Sequence, residues 1–201
     1  MMRVPNTEHT SRAWRIHELT RDFRLEDVWE LPTPGDRDDF PRLVELVASL
    51  DPSSSSRAVG ALMAIRLKLG EVFGLDDTDA GVGSRVPTLR DRLPTDLRGG
   101  PSGPGFALPF TPLYLLDDEF AAEAANRTMH GVLHLGWVPD GKGAYRGQMA
   151  ILVKPNGVLG RAYMAAIRPF RYLIVYPQLL RAIGRKWQTM PASASVPGAA
   201  T

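Results

Sequence analysis

The chain has no cysteine. That excludes disulfides, thiolate metal sites and a cysteine nucleophile, and it fits a reducing compartment, so the cytoplasm is the expected location. Long apolar runs are also missing. The longest, Tyr172 to Pro177, falls far short of the roughly 18 residues of a spanning helix, and Met1 to Trp14 is polar where a signal peptide would be apolar. Neither sign of charge dominates: 24 basic residues face 22 acidic ones. The two signs are interspersed apart from a basic C-terminal stretch, so nucleic acid is not an expected partner. There is no GxSxG and no Walker loop, and Gly81-Val82-Gly83 lacks the third glycine and the strand context of a dinucleotide fingerprint. No cofactor is expected.

What is present suits one globular core. A chain of 201 residues that is 44% hydrophobic has the usual size of one domain. Residues 1–12 and 188–201 read as disordered, the second being rich in Ala, Ser and Pro, which leaves a single α+β domain over 13–187. The Gly99–Pro104 segment, GGPSGP, reads as a loop within it, between a helix-rich first half and a strand-rich second half.

Hydrophobic periodicity supplies the elements. Phe23, Leu25, Trp29 and Leu31 alternate as on a half-buried strand, with Asp27 the exception on the apolar side. After TPGD, Asp38 or Asp39 caps a helix that Pro41 helps to start and that aligns Phe40, Leu43, Val44, Val47 and Leu50. A second helix is expected from Arg57 to Phe73, where Val59, Leu62, Met63, Leu69 and Phe73 form a stripe with Arg66 in its middle. Strands follow at Leu113–Leu116, Glu119–Ala125, Thr128–Val138 and Ala144–Lys154, the last two joined by PDGKG. With Trp137 opposite Tyr145, one face of that hairpin carries Met129, Leu133, Leu135, Trp137, Tyr145, Met149, Ile151 and Val153. Thr128, His130, His134, Arg146, Gln148 and Lys154 form a polar face opposite. Val158 to Trp187 reads as helix interrupted near Pro169 and Pro177, lying across the sheet.

Several constellations bear on function. Asp27 and Arg66 are each costly to bury alone. They either pair with each other, or Arg66 snorkels to solvent, or Arg66 grips an acidic or enolic ligand group with Asp27 as base or holder. His130 and His134 stand about 13 Å apart along a strand, too far to share a metal. They are polar-face residues or, if that face lines a pocket, acid–base candidates. Trp29, Tyr114, Trp137, Tyr145, Met149, Tyr163, Met164 and Phe170 are core residues that become ligand-binding if a cavity separates sheet from helix. Asp117, Asp118, Glu119 and Glu123 read as a turn with exposed acids. Arg161, Arg168, Arg171, Arg181, Arg185 and Lys186, interleaved with aromatics, read as a solvated rim, or as a weak contact to an anionic membrane surface or a partner enzyme. A homodimer is compatible with all of this.

Two segments carry a family resemblance. LMAIRLKLGEVFGL at 62–75 and GRAYMAAIRPFRYLIVYP at 160–177 resemble the DUF2867 family, with Arg66, Gly160, Arg161, Tyr163, Pro169 and Phe170 on matched positions. TMHGVLHLGW stands where many relatives carry a His-Leu-Asp-Phe-Arg-like strand. The resemblance implies a helix-grip fold similar to START and polyketide-cyclase proteins: a curved antiparallel sheet packed on a long C-terminal helix, with two preceding helices. It also implies a hydrophobic small molecule held between sheet and helix. Cofactor-free cyclisation, isomerisation or dehydration of a polyketide-like substrate is the chemistry expected of such a site.

Overall fold

The computed structural model describes residues 2–50, 82, 86–106, 110–126 and 128–191. The helix expected over 57–73, with Arg66, lies outside them. Six strands form one antiparallel sheet in the order β1-β2-β6-β5-β4-β3: β1 (Met2–Val4), β2 (Arg24–Glu30), β3 (Thr111–Leu115), β4 (Glu119–Ala125), β5 (Met129–Pro139) and β6 (Tyr145–Pro155). The β5–β6 hairpin turns where Gly141 and Gly143 adopt positive φ and Asp140 Oδ1 accepts the Lys142 and Ala144 N–H groups. Trp137 pairs with Gly147, and Tyr145 with Pro139. The register thus differs by two residues from the expected Trp137–Tyr145 pairing. Because the pleat repeats every two residues, each side chain keeps its face.

Strand β2 departs from simple alternation. Leu25 pairs with Leu152 and Asp27 with Ile151, so Glu26 is an extra residue in a bulge. The bulge reverses the parity: Phe23 and Leu25 pack on one side of the sheet, while Trp29 and Leu31 pack on the other.

Both sides are buried. On one, α3 (Phe40–Ala48) and the terminal helix close over Trp29, Leu31, Leu135, Trp137 and Met149, using Phe40, Leu43, Leu180, Ile183 and Trp187. The other side, expected to be polar and open, is covered by the N-terminal segment and by residues 86–98. Trp14, Ile16, Leu19, Leu89, Leu93 and Leu97 pack there on Val28, Tyr114, Val132, Ala150 and Leu152. His130, His134 and Gln148 are therefore interior. The segment 1–12, read as disordered, instead supplies β1 and the short helix α1 (Thr7–Thr10), with His9 fully buried; α2 (Ile16–Leu19) follows.

The C-terminal helical run is continuous. α4 (Gly157–Phe170) passes into a π-helical turn at Arg171–Val175 and then into α5 (Tyr176–Thr189). The interruptions expected at Pro169 and Pro177 do not break the run: α4 continues through Pro169, and Pro177 falls in the first turn of α5, after the π turn. Pro177 has no N–H to give, and the wider turn re-pairs the backbone around it, with the Tyr176 N–H reaching the Arg171 carbonyl five residues back. Gly160 marks where α4 crosses the start of β5, since a Cβ there would fall 2.1 Å from the Thr128 carbonyl oxygen. At the far end Arg42 donates to the Trp187 and Met190 carbonyls at 2.6 and 2.7 Å, satisfying groups that a helix end leaves unpaired.

Candidate functional site

Between α4, the π turn and strands β5–β6 lies a cavity of about 240 Å³. Met129, Ile151 and Val153 line it from the sheet, Tyr163, Met164, Ile167 and Val175 from the helix, and Phe110 and Asn126 close one side. Its walls are almost wholly apolar. Arg171 is the one charged residue of the lining, and Tyr176, Tyr163 and Asn126 are its other polar residues.

Arg171 and Tyr176 belong to a buried network centred on Asp27. The bulge at Glu26 sets Asp27 on the helix side of the sheet, where it is fully buried. Its Oδ2 accepts from Arg171 Nη2 at 2.8 Å and from the Tyr176 hydroxyl at 3.1 Å, and its Oδ1 accepts from Trp29 Nε1 at 3.1 Å. Arg171 Nη2 also donates to the Tyr176 oxygen. The π turn places Arg171 and Tyr176, five residues apart, on this one carboxylate. Burial opposes the charge on Arg171, but Tyr176 and Asp27 outweigh it and hold the guanidinium above its ordinary pKa. Burial, against Arg171, raises the Tyr176 pKa, so its hydroxyl remains a donor. Arg171 Nε and Nη1 have no hydrogen-bond partner among the described residues. Asp27 has three donors and acts by positioning Arg171 and Tyr176.

The residues singled out from sequence fall in several places. Tyr163 and Met164 line the cavity, and Trp29 stands beside it through Asp27 and through its ring contact with Tyr176 at 4.8 Å. Trp137, Tyr145 and Met149 belong to the core further along the same side, where Trp137 packs on Trp187 and donates to the Asp36 carbonyl. Phe170 is 51% exposed on the outer side of the helix. Tyr114, His130 and His134 lie across the sheet. Arg171 and Tyr176 were not singled out as a pair. The only sequence signal for them is the bracketing of PFRYLIVYP by two prolines in a helical segment.

On that opposite side the histidines form two carboxylate clasps. Glu119 accepts from the Tyr114 hydroxyl at 2.6 Å, from the Arg15 and Ile16 N–H groups, and from His134 Nε2 at 3.1 Å. His134 Nδ1 is then the acceptor, 3.1 Å from His9 Nε2, which leaves His9 Nδ1 buried without a partner. Glu123 accepts from His130 Nε2 at 2.8 Å, from the Leu89 N–H and from the Thr88 hydroxyl. Burial would raise both carboxylates, yet the hydrogen bonds from His134 and His130 hold them below the usual range. Burial lowers His9 to about 2, with His134 adding to the effect, and it lowers His134 as well. Both imidazoles are neutral at pH 7. The clasps fasten the N-terminal segment and residues 86–93 to the sheet. Among the described residues no group of side chains is arranged to hold a metal ion, and no helix is long and apolar enough to cross a membrane.

Fold and cavity together define an α+β protein whose antiparallel sheet and terminal helix border a partly open apolar space with one oriented guanidinium. The family described as protein of unknown function DUF2867 matches residues 19–178, and the chain belongs to it. No curated protein and no solved structure matches the chain.

Proposed function

We propose that the protein binds a compact hydrophobic molecule carrying a neutral oxygen acceptor, a ketone or enol, in the cavity beneath α4. The observation that supports this is the pairing of an apolar space of about 240 Å³ with a single guanidinium at its wall. The volume lies under the roughly 300–1,000 Å³ of pockets for drug-sized ligands, so the occupant is small. Asp27 already neutralises Arg171, which favours a neutral acceptor over a carboxylate: a second anion would face little net positive charge. Arg171 Nε or Nη1 then meets the acceptor, as polar groups orient a ligand that apolar walls enclose.

The same geometry suits cofactor-free isomerisation, cyclisation or dehydration of a small polyketide-like substrate. The apolar walls restrict the substrate's conformation. Arg171, held by Asp27 and Tyr176, polarises the carbonyl as charge develops on its oxygen. A helix-grip layout like that of START and polyketide-cyclase proteins, implied by the sequence resemblance, would suit this reading, and an analogy of fold carries less weight than the site itself.

Melting curves of wild type and Arg171→Met against a panel of small cyclic ketones and matched carboxylates test the reading. Ketones should stabilise the wild type by mass action and the variant much less. Equal shifts in both proteins would remove Arg171 from the site, and a preference for carboxylates would overturn the neutral-acceptor reading.

A further inference from the structure

The outer face of α4 is the reverse of what a water-facing helix normally presents. Val158, Ala162, Ala165, Pro169 and Leu173 are all exposed, and their spacing of three and four residues sets them in one stripe along the helical run. Val158 is 73% exposed and Leu173 77%. Phe170, half exposed, widens the stripe on one flank. Arg161 and Arg168, two turns apart and both exposed, edge it on the other flank. Arg168 lies over the Tyr172 ring at 5.8 Å, and Arg3 of β1 covers that ring at 5.1 Å, so a third cation adjoins the same flank.

The charge on this run is of one sign. Between Gly157 and Thr201 there is no Asp or Glu, against Arg161, Arg168, Arg171, Arg181, Arg185 and Lys186. Arg171 is turned inward to Asp27, whereas Arg161 and Arg168 are exposed with no ion-pair partner among the described residues. The nearby acid of the bulge, Glu26, is paired with Arg24 at 3.5 Å.

From this we infer that the α4 face is a docking surface for an anionic lipid bilayer, lying in the interface with Val158, Phe170 and Leu173 toward the acyl region and Arg161 and Arg168 among the headgroups. An apolar stripe edged by arginines is the pattern of an interfacial helix, and long basic side chains reach headgroups while their stems cover apolar surface. A second copy fits the face poorly. A two-fold contact sets each residue against the same patch on its partner, and this patch has arginines and no acid with which to meet them.

Sedimentation with vesicles tests the inference. Phosphatidylcholine vesicles containing phosphatidylserine should carry the protein down at about 0.01 M salt and much less at about 0.15 M, where the Debye length falls from roughly 30 to roughly 8 Å. Pure phosphatidylcholine vesicles should bind weakly at both. Replacing Arg161 and Arg168 together by Gln should weaken binding to the anionic vesicles about 25-fold, at about fivefold per basic residue. Leu173→Ser should weaken it on anionic and neutral vesicles alike. These side chains are exposed, so melting temperatures should match the wild type; a variant that melts early is replaced by Phe170→Ser, on the same stripe. No sedimentation at low salt, binding that ignores phosphatidylserine, or double-variant binding equal to wild type would each overturn the inference. So would a wild-type dimer that Leu173→Ser dissociates, because the face would then belong to a second copy.

Discussion

Among single side chains, Asp27 and Arg171 are the pair on which the site turns. Breaking a buried ion pair from one side leaves a charge without compensation, at a cost of about 3 kcal/mol. Asp27→Ala should lower the urea midpoint accordingly at unchanged slope, and adding Arg171→Met to it should recover part of the loss. Strictly additive losses would show the two residues to be uncoupled. Gly131 offers the complementary change. Gly131 lines the cavity, a Cβ there meets Met129 at 3.4 Å and the Ala124 carbonyl oxygen at 3.8 Å, both ordinary contacts, and a β-branched residue suits a strand. Gly131→Val should therefore keep or raise stability while filling part of the cavity; a large loss of melting temperature would show that space to be needed by the fold. Asp27 was legible in the sequence as the one carboxylate on an apolar parity. Its partner was not, because the pairing depends on a backbone bulge at Glu26 and a π turn at 171–175, and neither has a periodic signature.

Between elements, the long strands, α3 and the helical course of residues 158–187 could be read from periodicity alone. The buried state of His130 and His134 could not. Their strand alternates as if one face met water, and only the docking of residues 2–20 and 86–98 closes that face. The clasps have a pH signature. His9 and His134 bind protons more weakly when folded than when unfolded, so below pH 6.5 the unfolded state holds more protons and stability falls, by up to about 1.4 kcal/mol per pH unit for each group. Glu119 and Glu123 have depressed folded pKa values. Their contribution is present above the ordinary carboxylate range and is lost as pH falls through the folded values, adding to the same trend. Unfolding free energy should thus decline from about pH 6.5 downward; a profile flat between pH 7.5 and 5 would contradict the buried neutral histidines. Where α4 crosses β5, Gly160→Ala should cost about 3 kcal/mol, the upper end of the usual overpacking cost, because backbone and not a flexible side chain blocks the methyl. A melting temperature equal to wild type would show that the crossing can widen.

For the molecule as a whole, one helical run presents two faces. Tyr163, Met164, Ile167 and Arg171 face the cavity, while Val158, Ala162, Ala165 and Leu173 face outward. A ligand held under α4 and a bilayer docked over it would lie on opposite sides of the same helix, a suitable arrangement for exchanging an apolar molecule with a membrane. The most direct measurement is native mass spectrometry of the purified protein beside Gly131→Val. A bound apolar molecule should appear as added mass on the wild type and be absent from the variant. Bare wild-type protein that also fails to take up any small ketone on titration, or equal added mass on both proteins, would contradict a ligand in this cavity.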